Sequence, residues 1–162
     1  MDFVALFSGV LRQFWFFVPF FIFITVIKTA WFKGVWGEFL VNFLLSKFLD
    51  KKQYQLIKNV TLPTEDGTTQ IDHIVVSQFG VFVIETKNMK GWIFGGEKQR
   101  QWTQVIFKHK NKFQNPLHQN YKHLKVLQQM LGLTQDQIHS VVVFVGGSRF
   151  KTPMPPNVTE GW

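Results

Sequence analysis

The stretch that decides the fold runs from Thr69 to Asn88. It reads Thr69-Gln70-Ile71-Asp72-His73-Ile74-Val75-Val76-Ser77, then Gln78-Phe79, then Gly80-Val81-Phe82-Val83-Ile84-Glu85-Thr86-Lys87-Asn88. Both arms are dense in β-branched residues, and Gly80 supplies the positive φ that a tight turn needs, so Gln70 to Ser77 and Val81 to Lys87 are expected to form a hairpin. With the turn centred between Gln78 and Phe79, partner numbers sum to 157 and Asp72 lies opposite Glu85. A three-residue loop with a glycine bulge shifts the register by one and leaves the pair diagonal. Either way the two carboxylates stand roughly 5 to 7 Å apart at the backbone, and Lys87, two residues beyond Glu85, shares its face.

Working outward, Val35 to Asp50 has the apolar spacing of a helix buried on most sides, with Gly34 and Gly37 separating it from what precedes. Tyr54 to Leu62 reads as a strand ended by Pro63 and the turn Thr64 to Gly67. After the hairpin, Trp92 to Phe94 and Gln101 to Phe107 are short strands. A helix follows with Asn115 as its cap, Pro116 at its first position, Gly132 as its stop, and Leu117, Tyr121, Leu124, Leu127 and Leu131 on one face. Ser140 to Val145 is a continuous apolar run, the mark of a strand covered on both sides. The Pro-rich segment from Thr152 is expected to be irregular. Helix, three or more strands, helix, strand is an α/β sandwich around a mixed sheet.

The N-terminus is of another kind. Phe3 to Ile27 carries Arg12 as its only charge, and a helix needs roughly 20 residues to cross the hydrocarbon layer. A signal peptide would want a basic start and a small-residue cleavage site, and neither is present. A buried core helix is the other reading, because Arg12 leaves only about 15 uncharged residues after it. Trp15, Trp31 and Trp36 suit an interface, and Lys28 and Lys33 follow the run, so a single-pass anchor over residues 3–27 with the rest of the chain on the cytoplasmic side is expected. The divisions are then 1–34 anchor, 35–150 folded domain and 151–162 Pro-rich tail.

Cysteine is absent, which removes disulfides, zinc fingers and thiol catalysis within this sequence. Net charge is +8, and its placement matters more than its size. Between Thr86 and Lys125 stand nine Lys or Arg residues against one acid, Glu97. Such a stretch points to a polyanion, either nucleic acid or anionic lipid.

Two carboxylates facing each other among Ile71, Ile74, Val75, Val83 and Ile84 need a cation or a shared proton. An oxygen-only donor set favours magnesium or manganese over zinc, and such an ion polarises a phosphodiester and acidifies a bound water. Lys87 then steadies developing negative charge. Against this stands the commoner arrangement, in which Lys87 merely neutralises Glu85 in a salt bridge.

The wording of the two arms closely resembles the nuclease-related domain (NERD) family. So do Gly37-Glu38, Gly91-Trp92-Ile93, Trp102-Thr103-Gln104, and Phe113-Gln114-Asn115-Pro116 leading to Gln119-Asn120-Tyr121. The resemblance covers Gly37 to Val145. It implies the restriction-endonuclease-like PD-(D/E)xK fold, with an αβββαβ core. It also implies that Asp72 is the first metal-binding acid and that Glu85 and Lys87 are the acid-x-Lys pair. Glu38 matches a helix acid that joins the metal shell in some relatives, although a first-turn carboxylate favoured by the helix dipole is an equal reading. Gln114 and Gln119 match polar residues flanking the site, with helix capping and solvent exposure slightly preferred for both. Asn88 is a strand terminator or a phosphate contact.

Lys90 and the basic segment Phe107 to Phe113, with Lys108, Lys110 and Lys112, read as phosphate contacts on a loop beside the site. His73 points to the opposite face from Asp72 and reads as a packed or solvated imidazole. Trp92 and Trp102 are stacking candidates for which core packing is preferred, and Tyr121 reads as core. The resulting expectation is a membrane-anchored nuclease with a magnesium or manganese cofactor, acting on nucleic acid, with DNA first. The alternative is a non-catalytic nucleic-acid-binding or scaffolding module on the same fold; a domain whose charge serves only lipid contact is a third, weaker reading. A homodimer would suit double-strand cleavage. The chain stops soon after its last expected strand and reads as part of a longer architecture.

Overall fold

A computed structural model describes residues 14–161. The chain divides into two units, residues 1–36 and 37–162.

In the first unit, one turn of 3-10 helix (Trp15–Phe17) leads into α1 (Val18–Lys28), whose apolar side chains are largely exposed. The part of the expected anchor at residues 3–13, including Arg12, lies outside the described residues. The expected break at Gly34 and Gly37 is not where the helices part. Thr29 is extended (ψ 150°), and its hydroxyl accepts from the Phe32 amide at 3.2 Å, so the threonine ends α1 and caps α2 (Ala30–Phe48), which runs through both glycines. No single helix among the described residues is long and apolar enough to cross a membrane. The bent pair Trp15–Lys28 and Trp31–Phe48 passes that test together, by length and composition.

The second unit holds a five-stranded mixed sheet. Its strands are β1 (Tyr54–Thr64), β2 (Gly67–Ser77), β3 (Gly80–Asn88), β7 (Ile138–Val145) and β9 (Val158–Glu160), adjacent in that order. β1, β2 and β3 form an antiparallel meander, while β7 runs parallel to β3 and β9 parallel to β7. Strand β1 continues through Pro63 to Thr64, two residues past its expected end. Pro63 is tolerated there because β1 is an edge strand and loses no ladder bond. The second sheet has the order β6-β5-β4-β8 and was not foreseen as a layer. It comprises β4 (Gly91–Phe94), β5 (Gln101–Ile106), β6 (His109–Gln114) and β8 (Ser148–Phe150). The segment expected as a basic loop is therefore the β5–β6 hairpin, because a two-residue turn at Phe107-Lys108 lets Ile106 pair with His109. The tail expected to be irregular supplies β9, which pairs with β7 through Val142, Val143 and Phe144.

Helix α3 (Pro116–Leu131) starts and stops as its sequence dictates. Asn115 Oδ1 accepts from the Leu117 amide at 2.9 Å, and Gly132 takes the left-handed φ of 64° that closes the last turn. Its buried face is Pro116, Asn120, His123 and Leu127, whereas Tyr121 and Leu131 are more than half exposed, contrary to expectation. The shift has a polar cause. Asn120 is fully buried and shares its two amide hydrogens among Val83 O (2.9 Å), Ser140 Oγ (2.9 Å) and Val141 O (3.1 Å), strapping the helix to β3 and β7. Asn120→Ala is expected to cost about 2 kcal/mol, since it strands buried carbonyls, and urea unfolding measures it.

Two apolar clusters fill the unit. One joins Leu62, Ile71, Ile74 and Val83 to Leu127 of α3 and Ile138. The other packs Ile93 and Trp102 of the second sheet against Val142, Phe144 and Val158 of the first, with the Trp102 and Phe144 rings stacked at 5.9 Å. Helix α2 is less buried than its pattern suggested. Val41 is buried, but Phe39, Phe43 and Phe48 are 58%, 52% and 74% exposed.

Candidate active site

The β2–β3 register runs Ser77 with Gly80 through His73 with Ile84, so partner numbers sum to 157. The ladder stops one step short of Asp72 and Glu85. Across β1 the matching position is Asn59, which adopts φ 52° and interrupts pairing between Lys58 and Val60. In that gap the Asp72 side chain serves as a rung of its own, with Oδ2 accepting from the Thr86 amide at 2.9 Å.

Glu85 is 2% exposed. Its Oε1 accepts from Lys87 Nζ at 2.8 Å, and the same ammonium donates to Gln119 Oε1 of α3 at 2.9 Å. His123 Nε2 stands 3.4 Å from Glu85 Oε2, close enough to favour the negative charge but not aligned as a hydrogen bond, and Oε2 is otherwise a buried oxygen without a partner. His123 Nδ1 lies 2.9 Å from Thr69 Oγ1. A continuous polar string thus runs Gln119, Lys87, Glu85, His123, Thr69.

The electrostatics separate the acids. Burial alone would raise Glu85, but His123 and Lys87 beside it outweigh that and hold it below the ordinary range. Asp72 is pushed up to about 6, first by burial and then by the charge of Glu85, with Glu38 adding to it; the Thr86 amide and Lys87 offset only part. Glu38 is also raised, by burial and then by Glu85. Three carboxylates therefore share one field. Among the described residues, no three His, Asp or Glu side chains converge into a complete metal shell.

The structure brings together Asp72, Glu85, Lys87 and Gln119, with Glu38 within electrostatic reach. It does not bring Gln114, which lines an open groove of about 710 Å³ with Arg100, Gln101, His118 and Lys122. Lys108 at the hairpin turn and Lys110 and Lys112 on β6 are exposed, as is Lys90 just before β4. His73 is fully buried and held below its usual range chiefly by burial, which keeps it neutral. Trp102 is core, as expected, but Trp92 is 52% exposed.

A family model described as nuclease-related domain matches residues 33–145. The chain belongs to the nuclease-related domain (NERD) family. That family lies in the restriction-endonuclease-like superfamily, and the order α2, β1, β2, β3, α3, β7 is the expected core order. Over 100 residues the NERD chain is 58% identical to an uncharacterized protein of Bacillus anthracis. The match covers 61% of this chain and 47% of that protein, so the chain spans about half the length of the curated relative. No solved structure matches it.

Two residues of this NERD site were missed from sequence, His123 and Thr69. A signal for the histidine existed. Pro116, Asn120, His123 and Leu127 recur at helical spacing, and a stripe carrying both polar and apolar residues beside a predicted acidic pair is a place to look for partners of that pair.

Proposed function

We propose that this NERD domain is a metal-dependent nuclease that hydrolyses phosphodiester bonds, of DNA in the first instance. The observation that carries the reading is a buried glutamate joined to a lysine, beside an aspartate whose pKa is raised first by burial and then by its acidic neighbours. A divalent cation relieves both tensions, the partnerless Glu85 Oε2 and the unfavourable charge on Asp72. Asp72 and Glu85 would hold magnesium or manganese, and two protein carboxylates suffice because such ions keep several waters and take substrate phosphate oxygens. When bound, the ion supplies Lewis-acid polarisation of the phosphodiester and a more acidic water.

The chain's own residues do the rest. Lys87 keeps Glu85 ionised and presents an ammonium where phosphate charge develops, and Gln119 fixes its direction. His123, steadied by Thr69, stands 3.4 Å from the second oxygen of Glu85 without bonding it and favours its negative charge. Cleavage of plasmid and single-stranded DNA is expected with magnesium and not with chelator. Lys87→Ala should slow it by on the order of 10²–10³. A folded wild type that leaves DNA and RNA intact with magnesium and with manganese would sink the reading. The second reading is a non-catalytic binding module on the same fold; binding without cleavage would favour it.

The N-terminal segment is proposed to tether this domain to a membrane, with the domain on the cytoplasmic side. The exposed aromatic run from Phe14 to Phe23 and the apolar helix pair support this.

A further inference from the structure

The second sheet has two unlike faces. Ile93, Trp102, Phe113 and Phe150 point into the core between the sheets. Residues of opposite parity point outward. Following the register, Lys110 pairs with Val105, Val105 with Trp92, and Trp92 with Arg149, so these four form one row across all four strands on the outer face. Lys112, Thr103 and Phe94 form the next row, and Gln114 with Gln101 a third. Lys110, Lys112, Arg149 and Lys151 are exposed, and no Asp or Glu occurs in any of the four strands. Trp92 sits in the middle, 52% exposed, with the Lys151 ammonium 4.8 Å from its ring centre.

We infer that this face is a docking platform for an unpaired polynucleotide strand, with Trp92 stacking on a base and Lys110, Lys112, Arg149 and Lys151 neutralising phosphates. The inference rests on the nuclease reading and names the substrate form. Three features carry it. An indole amid cations, on strands that carry no acid and with the neighbouring Glu160 carboxylate engaged by the Phe150 amide at 2.6 Å, is complementary to a chain that alternates aromatic bases with negative phosphates. A flat sheet face offers a stacking surface only to bases not already stacked in a duplex, which selects single strands or unpaired flanks. The amides of Gln101 and Gln114 and the hydroxyl of Thr103 add hydrogen-bonding groups that suit base edges and sugars and that attraction to anionic lipid does not require. Trp92 lies five residues past Lys87, so its backbone is at most about 18 Å away, within the reach of a few nucleotides. The Lys151 stem is flexible enough for its ammonium to leave the ring for the phosphate of the stacked nucleotide.

The test uses the full chain in detergent. A labelled oligothymidylate and a duplex of equal length are titrated without divalent metal, and cleavage is then read on adding magnesium. The single strand should bind more tightly than the duplex. Trp92→Ala should weaken single-strand binding about tenfold or more while Trp92→Phe keeps most of it. The double variant Lys110→Gln, Lys112→Gln should lower the slope of log affinity on log salt by about 1.4. All of these positions are on the surface, and circular dichroism checks that each variant is folded. Trp92→Ala binding as tightly as wild type overturns the platform, and if cleavage persists the nuclease reading stands without it. Trp92-dependent strand binding with no cleavage supports the platform and overturns the nuclease. Oligonucleotide binding that ignores these substitutions, with phosphatidylserine-vesicle binding that falls in them, assigns the face to lipid instead.

Discussion

Asp72→Asn is expected to remove cleavage, by a factor on the order of 10³ or more, and at the same time to raise the melting temperature by several degrees at pH 7 in magnesium-free buffer. The two effects share one cause. The carboxyl of Asp72 is pushed up to about 6 by burial and by the charges of Glu85 and Glu38. A group whose folded pKa lies above its unfolded value binds more protons in the folded state between the two. The folded state therefore loses stability as pH rises from about 4 to about 6, and the loss is complete above that. A shift of this size corresponds to about 3 kcal/mol, which the neutral amide recovers while its oxygen still accepts from the Thr86 amide. Thermal melts of wild type and variant at pH 4, 6 and 8 measure it. The two curves should diverge as pH rises, and parallel curves would mean that Asp72 carries no such strain. The same titration predicts that less magnesium is needed for cleavage as pH rises through about 6, because proton and metal compete for this carboxylate.

Gly95→Ala should be the more damaging of two adjacent glycine substitutions. A Cβ at Gly95 overlaps the Trp102 ring, whereas one at Gly96 meets nothing closer than Gln99 Cδ at 3.8 Å. The ring cannot yield. It is fully buried, stacked on Phe144, met edge-on by Phe113, and its Nε1 donates to Gly96 O at 3.0 Å. Overpacking there is expected to cost about 3 kcal/mol, against a few tenths for Gly96→Ala. Urea unfolding of both variants decides it; equal losses would show that the ring has room to shift.

What the sequence revealed, and what it hid, follows from how local each determinant is. The β2–β3 hairpin was legible because its turn, alternation and register lie within twenty residues, and the acid, acid, lysine grouping followed from that register. Helix α3 was legible because Asn115, Pro116 and Gly132 are its own punctuation. Its orientation was not. Hydrophobicity chose the stripe through Tyr121, but Asn120 and His123 are buried one position away, the first donating its amide hydrogens to strand carbonyls and the second set against Glu85. The second sheet was hidden because its fourth strand, β8, is three residues long and pairs with a segment fifty-seven positions earlier. Trp92 and Trp102 look alike in sequence, and only the parity of that sheet separates the exposed ring from the core one.

Strand β9 also has a meaning for how the chain is made. Val141-Val142-Val143-Phe144-Val145 combines high strand propensity with no charge and no proline, the profile of a self-associating segment. Its partner on one side, β3, is synthesised well before it, but the partner on its other side leaves the ribosome only after the prolines at 153, 155 and 156. Until Val158–Glu160 arrives, this uncharged edge stands open to other nascent chains. The three residues of β9 thus cover the open side of β7 along Val142, Val143 and Phe144.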